Sequence, residues 1–287
     1  MDFTLCCGQI FRWHKKDGWW YGTIKEKAFR VSQQQSRLDF ENIGEDLIRD
    51  YFGLDLQLEL IRNQIGKDHQ ICKALDAFWG LRLVRQDPWE CLISYICATY
   101  KGIGAINRML LEISKRYGEK IKIGDFELYT FPTADKLAKA SEKELMKCGL
   151  GYRSKYVHAT TKMVLEEEID LNSIRDMPYF QAKKILCNFP GVGAKVADCV
   201  LLFSLDKLEA FPVDVWIKRV ILRHYSNKLS EEFVKRLSDK DSLSNTDYER
   251  ISSFAREYFG EFAGYAQEYL YHYERMHSKE TCSPENV

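Results

Sequence analysis

Two residues of this chain have the types and spacing for nucleophilic chemistry, Lys195 and Asp214. Lys195 stands in FPGVGAKVADC, just past a proline-and-glycine turn and inside the first turn of an apolar helical pattern. A helix start favours acidic residues there, because its unpaired N–H groups form a positive end, so a lysine runs against the local electrostatics. Partly desolvated among Val192, Val196 and Cys199, its amine is expected to be a better nucleophile than a solvated one. Asp214 stands in AFPVDVWIKRVIL, after Pro212 and directly before the next helical pattern, which is the place of an N-cap. A capping carboxylate is held rigidly and is expected to stay ionised.

These residues need elements that bring them together. Ala182, Ile185, Leu186 and Phe189 predict a helix with one apolar face, PGVG a tight turn, and Val196, Ala197, Val200 and Leu201 a second helix packed back on the first. This is a helix-hairpin-helix over about 179–205. Gly191 and Gly193 are expected to supply positive φ and close approach, so that N–H groups of Gly191, Val192 and Gly193 can face a phosphate without a basic side chain. A purely structural αα turn accounts equally well for PGVG alone. A helix after Lys195 and a short return can carry Asp214 back beside the turn.

The rest of the chain supplies the frame. Its 287 residues, 45% hydrophobic and 13% aromatic, suffice for a sizeable core. Residues 1–85 contain runs such as IFRW, GWWYGTI and AFRVSQ between polar turns, predicting an antiparallel meander. From DPWECLISYICATY onward helical spacing dominates, with Pro88 at a first-turn position and Leu92, Tyr95, Ile96 and Thr99 on one face. Further helices are predicted at 104–117, 134–147, 153–167, 179–188, 194–205, 214–225, 230–237 and 247–274, and the tail HSKETCSPENV is expected to fray. The fold class is α+β and mostly helical: a small N-terminal antiparallel sheet followed by two helical lobes. The expected divisions are 1–85 for the β domain, 86–215 for the hairpin-bearing helical domain and 216–287 for helices completing the second lobe.

Composition excludes several function classes. With 42 basic and 42 acidic residues the chain has no global attraction to nucleic acid or membrane, so any DNA grip must be local. The nine cysteines are odd in number and scattered without a CxxC pair, which predicts reduced thiols in an intracellular protein and argues against zinc or an iron–sulfur cluster. No apolar run has the length of a membrane span.

GVGAKVADC followed by FPVDVW resembles the helix-hairpin-helix Gly-Pro-Asp superfamily of DNA glycosylases, and specifically the 8-oxoguanine DNA glycosylase family. CGQIFRW, DPWECLISYIC, GLGYRSKY and GYAQEYLYHY extend the resemblance along nearly the whole chain. It implies a bifunctional repair enzyme for double-stranded DNA that flips out 8-oxoguanine, cleaves its N-glycosidic bond and nicks the strand by β-elimination. The nucleophile would be Lys195, attacking the sugar C1′ to form a Schiff base, with Asp214 stabilising oxocarbenium character. Base recognition would fall to the carbonyl of Gly8, which accepts the N7–H that guanine lacks, with Gln267 on the Watson–Crick edge, Tyr271 stacked on one face, and Cys199 and Phe203 on the other. Without the resemblance, Cys199 and Phe203 read as core residues and Gln267 and Tyr271 as a solvated helix face. Tyr152 and Arg153 match the residues that wedge into the stack, and are otherwise an exposed surface pair. Trp216 falls near a phosphate where the family often has histidine. The resemblance implies no required cofactor, a monovalent cation on the hairpin carbonyls as an option, a monomer, and work in the cytoplasm, nucleoid or nucleus.

Two departures stand out. After SYICAT the chain has YKGIGA, so Tyr100 and Ala105 occupy the asparagine and arginine positions that read the orphaned cytosine in vertebrate-type members. A weaker preference for cytosine opposite the lesion is therefore expected. The segment before CGQIFRW is short, which predicts either a reduced flanking sheet or a start internal to a longer ancestor. Three alternatives stay open: a monofunctional alkylbase glycosylase, which would not need Lys195; a noncatalytic hairpin module for DNA; and a structural helical protein.

Overall fold

The computed structural model describes residues 1–240 and 242–278. A short helix α1 (Asp2–Cys6) precedes a meander of β1 (His14–Lys16), β2 (Trp19–Ile24), β3 (Lys27–Gln34) and β4 (Arg37–Glu41). All neighbours pair antiparallel, with Trp20 opposite Val31 and Gly22 opposite Phe29. The pleat turns Trp20, Ile24, Phe29 and Val31 toward Ile48, Tyr51 and Phe52, forming a small core of its own.

The helical part runs through α2 (Glu45–Tyr51), α3 (Leu58–Ile65), α4 (His69–Ala77), α5 (Pro88–Ala98) and α6 (Ile103–Tyr117), then a hairpin of β5 (Lys120–Ile123) and β6 (Phe126–Tyr129). It continues through α7 (Ala134–Leu137), α8 (Glu142–Leu145), α9 (Arg153–Glu166), α10 (Tyr179–Leu186), α11 (Ala194–Ser204), α12 (Val215–His224), α13 (Glu231–Ser238), α14 (Asn245–Phe259) and α15 (Ala263–Ser278). One large core joins the helices from α3 onward, with α5 against α11 and α15 against α4 and α12, while α2 packs in the core of the sheet. The α+β class and the small N-terminal sheet agree with the sequence reading, as do most of the later helices.

Four expectations are corrected. The sheet ends at Glu41, and the rest of 1–85 is largely helical: Ile48, Tyr51 and Phe52, then Ile61 and Ile65, then Ile71, Ala74 and Leu75 recur at helical spacing. The single helix expected at 134–147 is two, because Ser141 starts α8 afresh in a capping box with Glu144. The β5–β6 hairpin was not anticipated. The expected helix 247–274 is broken at Gly260, whose φ of 77° ends α14. The expected tail includes His277 and Ser278, which belong to α15, while 279–287 lie outside the described residues.

Candidate active site

The hairpin is built as its residues demand. Val192 N–H closes the turn onto Phe189 O at 3.0 Å, and Gly191 has φ of 82°. A Cβ at Gly191 would lie 2.7 Å from the Cβ of Tyr156, so only glycine fits. Gly193 is different from the expectation. Its φ is −98° and ψ −178°, an extended backbone open to any residue. An added Cβ there would meet nothing within 4 Å, so Gly193 marks open space before the start of α11, where the N-cap has no side-chain bond. That leaves helix-end N–H groups facing outward, as anion binding requires.

Lys195 sits half-buried in the first turn of α11, with Nζ 6.0 Å from the centroid of Tyr95. Tyr95 in turn stacks on Phe203, with centroids 5.7 Å apart. Asp214 caps α12, its Oδ1 accepting from Trp216 N–H and Ile217 N–H, each at 2.9 Å. Burial raises the Asp214 pKa, against the pull of the Ile217 N–H bond, the Lys195 charge and the Trp216 N–H bond. Burial also pushes the Cys199 thiol up to about 12, opposed by Lys195 and reinforced by the negative charges of Asp198 and Asp214. The amine, thiol and carboxylate predicted from sequence therefore lie within one another's electrostatic range, and Cys199 is a neutral thiol.

A buried network fixes the backbone on both sides of the pair. Asp198 is fully buried and held by Tyr179 O–H at 2.7 Å, Tyr248 O–H at 2.6 Å and Lys183 Nζ at 3.1 Å. Burial raises its pKa, while Lys183 and the two hydroxyls oppose the shift. The Tyr248 hydroxyl also accepts from Val213 N–H at 3.4 Å and lies 3.4 Å from Ala194 O. It thus touches the residue before Asp214 and the residue before Lys195. Tyr248→Phe is expected to slow by about 10- to 100-fold, under single-turnover conditions, whatever reaction Lys195 and Asp214 carry out, the scale of an ångström-sized misplacement of reacting groups, while leaving substrate affinity in place. An unchanged rate in the variant would show that the hydroxyl does not position the pair.

A second group of polar residues comes from the N-terminal segment and α15. Gly8 has φ of 109°, and a Cβ on it would come within 3.2 Å of Ile103 Cδ1, 3.3 Å of Arg275 Nη1 and 3.4 Å of the Tyr271 hydroxyl. The Gly8 backbone and the C-terminal helix are thereby in contact. Gln9 locks the segment: its side chain donates to Thr4 O and Arg82 O and accepts from Val84 N–H, and its carbonyl accepts from Gln86 and from Tyr95 O–H. Arg275 adds a bond to Cys6 O at 2.7 Å. Gln267 is 5% exposed, yet its Oε1 has no partner among the described residues. Tyr271 is half-buried, and burial raises its hydroxyl pKa. Neither residue is on the solvated face that spacing alone suggested, because α15 packs between α4, α12 and α14 and is covered almost all round.

The rim carries two aromatic side chains. Tyr100 is 89% exposed at φ of 53° and Tyr152 is 51% exposed. A bulky residue held at positive φ is an uncommon strain, of the kind that gathers at functional sites. Arg153 corrects the expectation of an exposed pair: it is 3% exposed, its guanidinium donates to Thr99 O and Leu150 O, and it stacks 4.4 Å from the Tyr152 ring. It ties the Tyr100 turn to the Tyr152 turn instead of presenting its charge outward. Trp216 is half-buried, with the exposed guanidinium of Arg219 4.7 Å from its ring.

Sequence reasoning missed the positioning role of Tyr248 and Gln9, and the presence of Arg219 and Glu268 in this region. Only Glu268 carried a signal, as an acidic residue between Gln267 and Tyr271. A cavity of about 660 Å³ lined by Lys25, Asp87, Trp89, Phe131 and Leu171 lies elsewhere and includes none of these residues.

Residues 1–92 match the family described as 8-oxoguanine DNA glycosylase, N-terminal domain, and residues 95–257 the HhH-GPD superfamily of base excision DNA repair proteins. The chain is similar to the N-glycosylase/DNA lyase OGG1 of Arabidopsis thaliana, 30% identical over 94% of this chain and 76% of the relative. It is also similar to the N-glycosylase/DNA lyase of Saccharomyces cerevisiae, 29% identical over 93% and 81%. Among solved structures, the Clostridium acetobutylicum 8-oxoguanine glycosylase/lyase in complex with double-stranded DNA containing cytosine opposite 8-oxoguanine is 32% identical and superposes with a TM-score of 0.85, covering 96% of this chain and 92% of that one.

Proposed function

This chain belongs to the 8-oxoguanine DNA glycosylase family within the HhH-GPD superfamily of base excision repair proteins, and from that premise we propose that it excises 8-oxoguanine from duplex DNA through a Schiff base on Lys195. The observation that carries this reading is that Lys195, Asp214 and Cys199 lie within one another's electrostatic range, with Tyr271 of α15 within range of Asp214. Lys195 Nζ attacks C1′, the C1′–N bond breaks and its electron pair leaves with the base. Asp214 stabilises the positive charge that develops on the sugar. Opening of the sugar ring converts the amine adduct to an imine, which acidifies the C2′ proton; its loss expels the 3′ phosphate and nicks the strand.

The parts divide the recognition task. The Gly8 carbonyl accepts N7–H of the lesion, whereas guanine offers an acceptor there, so the wrong base leaves two acceptors facing each other. Gln267 has an unpartnered oxygen for the Watson–Crick edge. Tyr271 and Cys199 sandwich the base, and Phe203 backs the wall through Tyr95. Flipping costs a few kcal/mol, offset by the Tyr152 wedge, by stacking and by phosphate bonds to the hairpin N–H groups of Gly191, Val192 and Gly193, with Trp216 beside them.

The chemistry requires no cofactor. A monovalent cation would use hairpin carbonyls: Phe189 O and Pro190 O each accept one hydrogen bond, from Val192 N–H and the Thr160 hydroxyl, and a carbonyl oxygen retains a second lone pair. The enzyme acts as a monomer where chromosomal DNA lies. Among the described residues no helix is long and apolar enough to cross a membrane.

A monofunctional alkylbase glycosylase would have no use for Lys195 beside Asp214. The deciding assay is base release and strand nicking on duplexes with 8-oxoguanine opposite each of the four bases. Tyr100 stacks on any orphaned base, whereas a bidentate reader discriminates by about 1–3 kcal/mol. Excision rates across the four partners are therefore expected to lie within about tenfold, and Tyr100→Ala to slow all four by similar factors, since stacking is worth about 1–3 kcal/mol whichever base is present. A steep preference for cytosine would overturn the assignment of Tyr100.

A further inference from the structure

Glu268 is a buried acid that the scheme above does not use. It is 2% exposed, lies one residue after Gln267 and three before Tyr271 on α15, and one of its oxygens has no hydrogen-bond partner among the described residues. Its surroundings are those of the base pocket. Cys7, the residue before Gly8, hydrogen-bonds it from the N-terminal segment, and Tyr95 of α5, Cys199 of α11, Asp214 at the start of α12, and Tyr271 and Arg275 of α15 all lie within its electrostatic range. The ring of Phe78, just past the end of α4, lies 4.3 Å from that of His272, whose own pKa burial, with the Arg275 charge, lowers to about 4. Arg275 is the one cation in this group and it is already bonded to Cys6 O.

A carboxylate buried here would lie beside the negative charge of Asp214 with one oxygen unpaired. Burial raises the Glu268 pKa to about 7, helped by Asp214 and opposed by Cys7 and Arg275. The acid form is the one the site accommodates at neutral pH and below. As an acid, the unpartnered oxygen can carry a proton and become a donor, whereas the Gly8 carbonyl and the Gln267 Oε1 are acceptors. A flipped oxidised purine presents both N–H groups and carbonyl oxygens, and besides the Glu268 acid the buried Arg275 Nε, also without a partner among the described residues, is a donor nearby.

We propose that Glu268, as a neutral carboxylic acid, donates a hydrogen bond to a carbonyl oxygen of the flipped base and stabilises the charge that the base acquires as it departs. The C1′–N bond breaks, the electron pair spreads into the base, and the Glu268 hydrogen bond shortens onto the oxygen that gains charge. The proton stays on Glu268 until solvent protonates the freed base. A neutral acid kept in an apolar site as a donor is an established catalytic device. The inference rests on the proposed function and assigns this residue a role in the same site.

The test is single-turnover excision of 8-oxoguanine from duplex DNA between pH 5.5 and 9 by the unaltered chain, Glu268→Gln and Glu268→Leu. Glutamine keeps an N–H donor that cannot ionise, so at pH 6 it is expected within about tenfold of the unaltered chain. Above pH ~7 the ratio of its rate to that of the unaltered chain should rise, approaching about tenfold per pH unit as the acid is lost. Leucine removes the donor, and should slow excision at pH 6 by about 100-fold. A ratio flat in pH, an inactive glutamine variant or a fully active leucine variant would each overturn the proposal. If the leucine variant does not fold, the glutamine ratio alone decides. The unaltered chain is its own control: no excision at any pH would overturn the proposed function, and this inference with it.

Discussion

Lys195→Gln is expected to bind a duplex carrying 8-oxoguanine and to yield no covalent adduct with borohydride, while the unaltered chain is trapped in a lesion-dependent band. Base excision should fall by about four orders of magnitude or more, the scale on which removal of a nucleophile acts. The prediction is sharp because Lys195 is half-buried in the first turn of α11, a place where a cation contributes nothing to helix stability and glutamine should cost the fold about 1 kcal/mol or less. Glutamine has a similar reach and no basic nitrogen, so loss of the adduct reports chemistry and not unfolding. An adduct that persists in this variant would assign the nucleophile to another amine. Absence of an adduct from the unaltered chain, with base release intact, would leave a monofunctional glycosylase.

Asp214→Asn should come next in size. Asparagine can accept the same two N–H bonds, from Trp216 and Ile217, that Asp214 Oδ1 now accepts at 2.9 Å, and it is as good an N-cap as aspartate. Thermal stability should therefore change little, while excision drops by about 100- to 1,000-fold because the charge facing the sugar is gone. The pH dependence has a defined sign. Burial raises the Asp214 pKa, so as pH falls the carboxylate is neutralised sooner than a solvated one, and excision by the unaltered chain should decline on the acid side. The asparagine variant should lack that limb. Near-normal rates in Asp214→Asn, or an acid limb that survives the substitution, would remove Asp214 from the chemistry and leave it a cap.

Both results bear on how α11 and α12 share one backbone frame. Tyr248 reaches from α14 to the residues preceding Lys195 and Asp214, so one hydroxyl that touches neither side chain contacts the backbone beside both. Arg153 works in the same manner at the rim. Its guanidinium is spent on the carbonyls of Thr99 and Leu150, and what it delivers to the surface is the placement of Tyr100 and Tyr152.

The amino-acid sequence by itself determined the parts that rest on local chemistry. The hairpin follows from Pro190 and Gly191 between two apolar helical stripes, the start of α5 from Asp87 and Pro88, the start of α12 from Asp214, and the meander from alternating aromatic runs; each needs only neighbours a few residues away. It also set Lys195 against the favoured charge of its helix end, which was the first sign of function. The length of the sheet, the split of residues 134–147 and the break at Gly260 depended on which of several locally allowed structures the core selects, and spacing did not decide them. Residue spacing did not show the proposed base pocket, whose members the family resemblance named and tertiary contacts bring together. Gly8 meets Tyr271, and Arg275 bonds Cys6 O across 269 residues of chain, because α15 is buried at the centre of the helical core and carries Gln267 and Glu268 in with it. No periodicity encodes that contact: a polar residue on a helix reads as solvated until the packing of distant segments takes the water away.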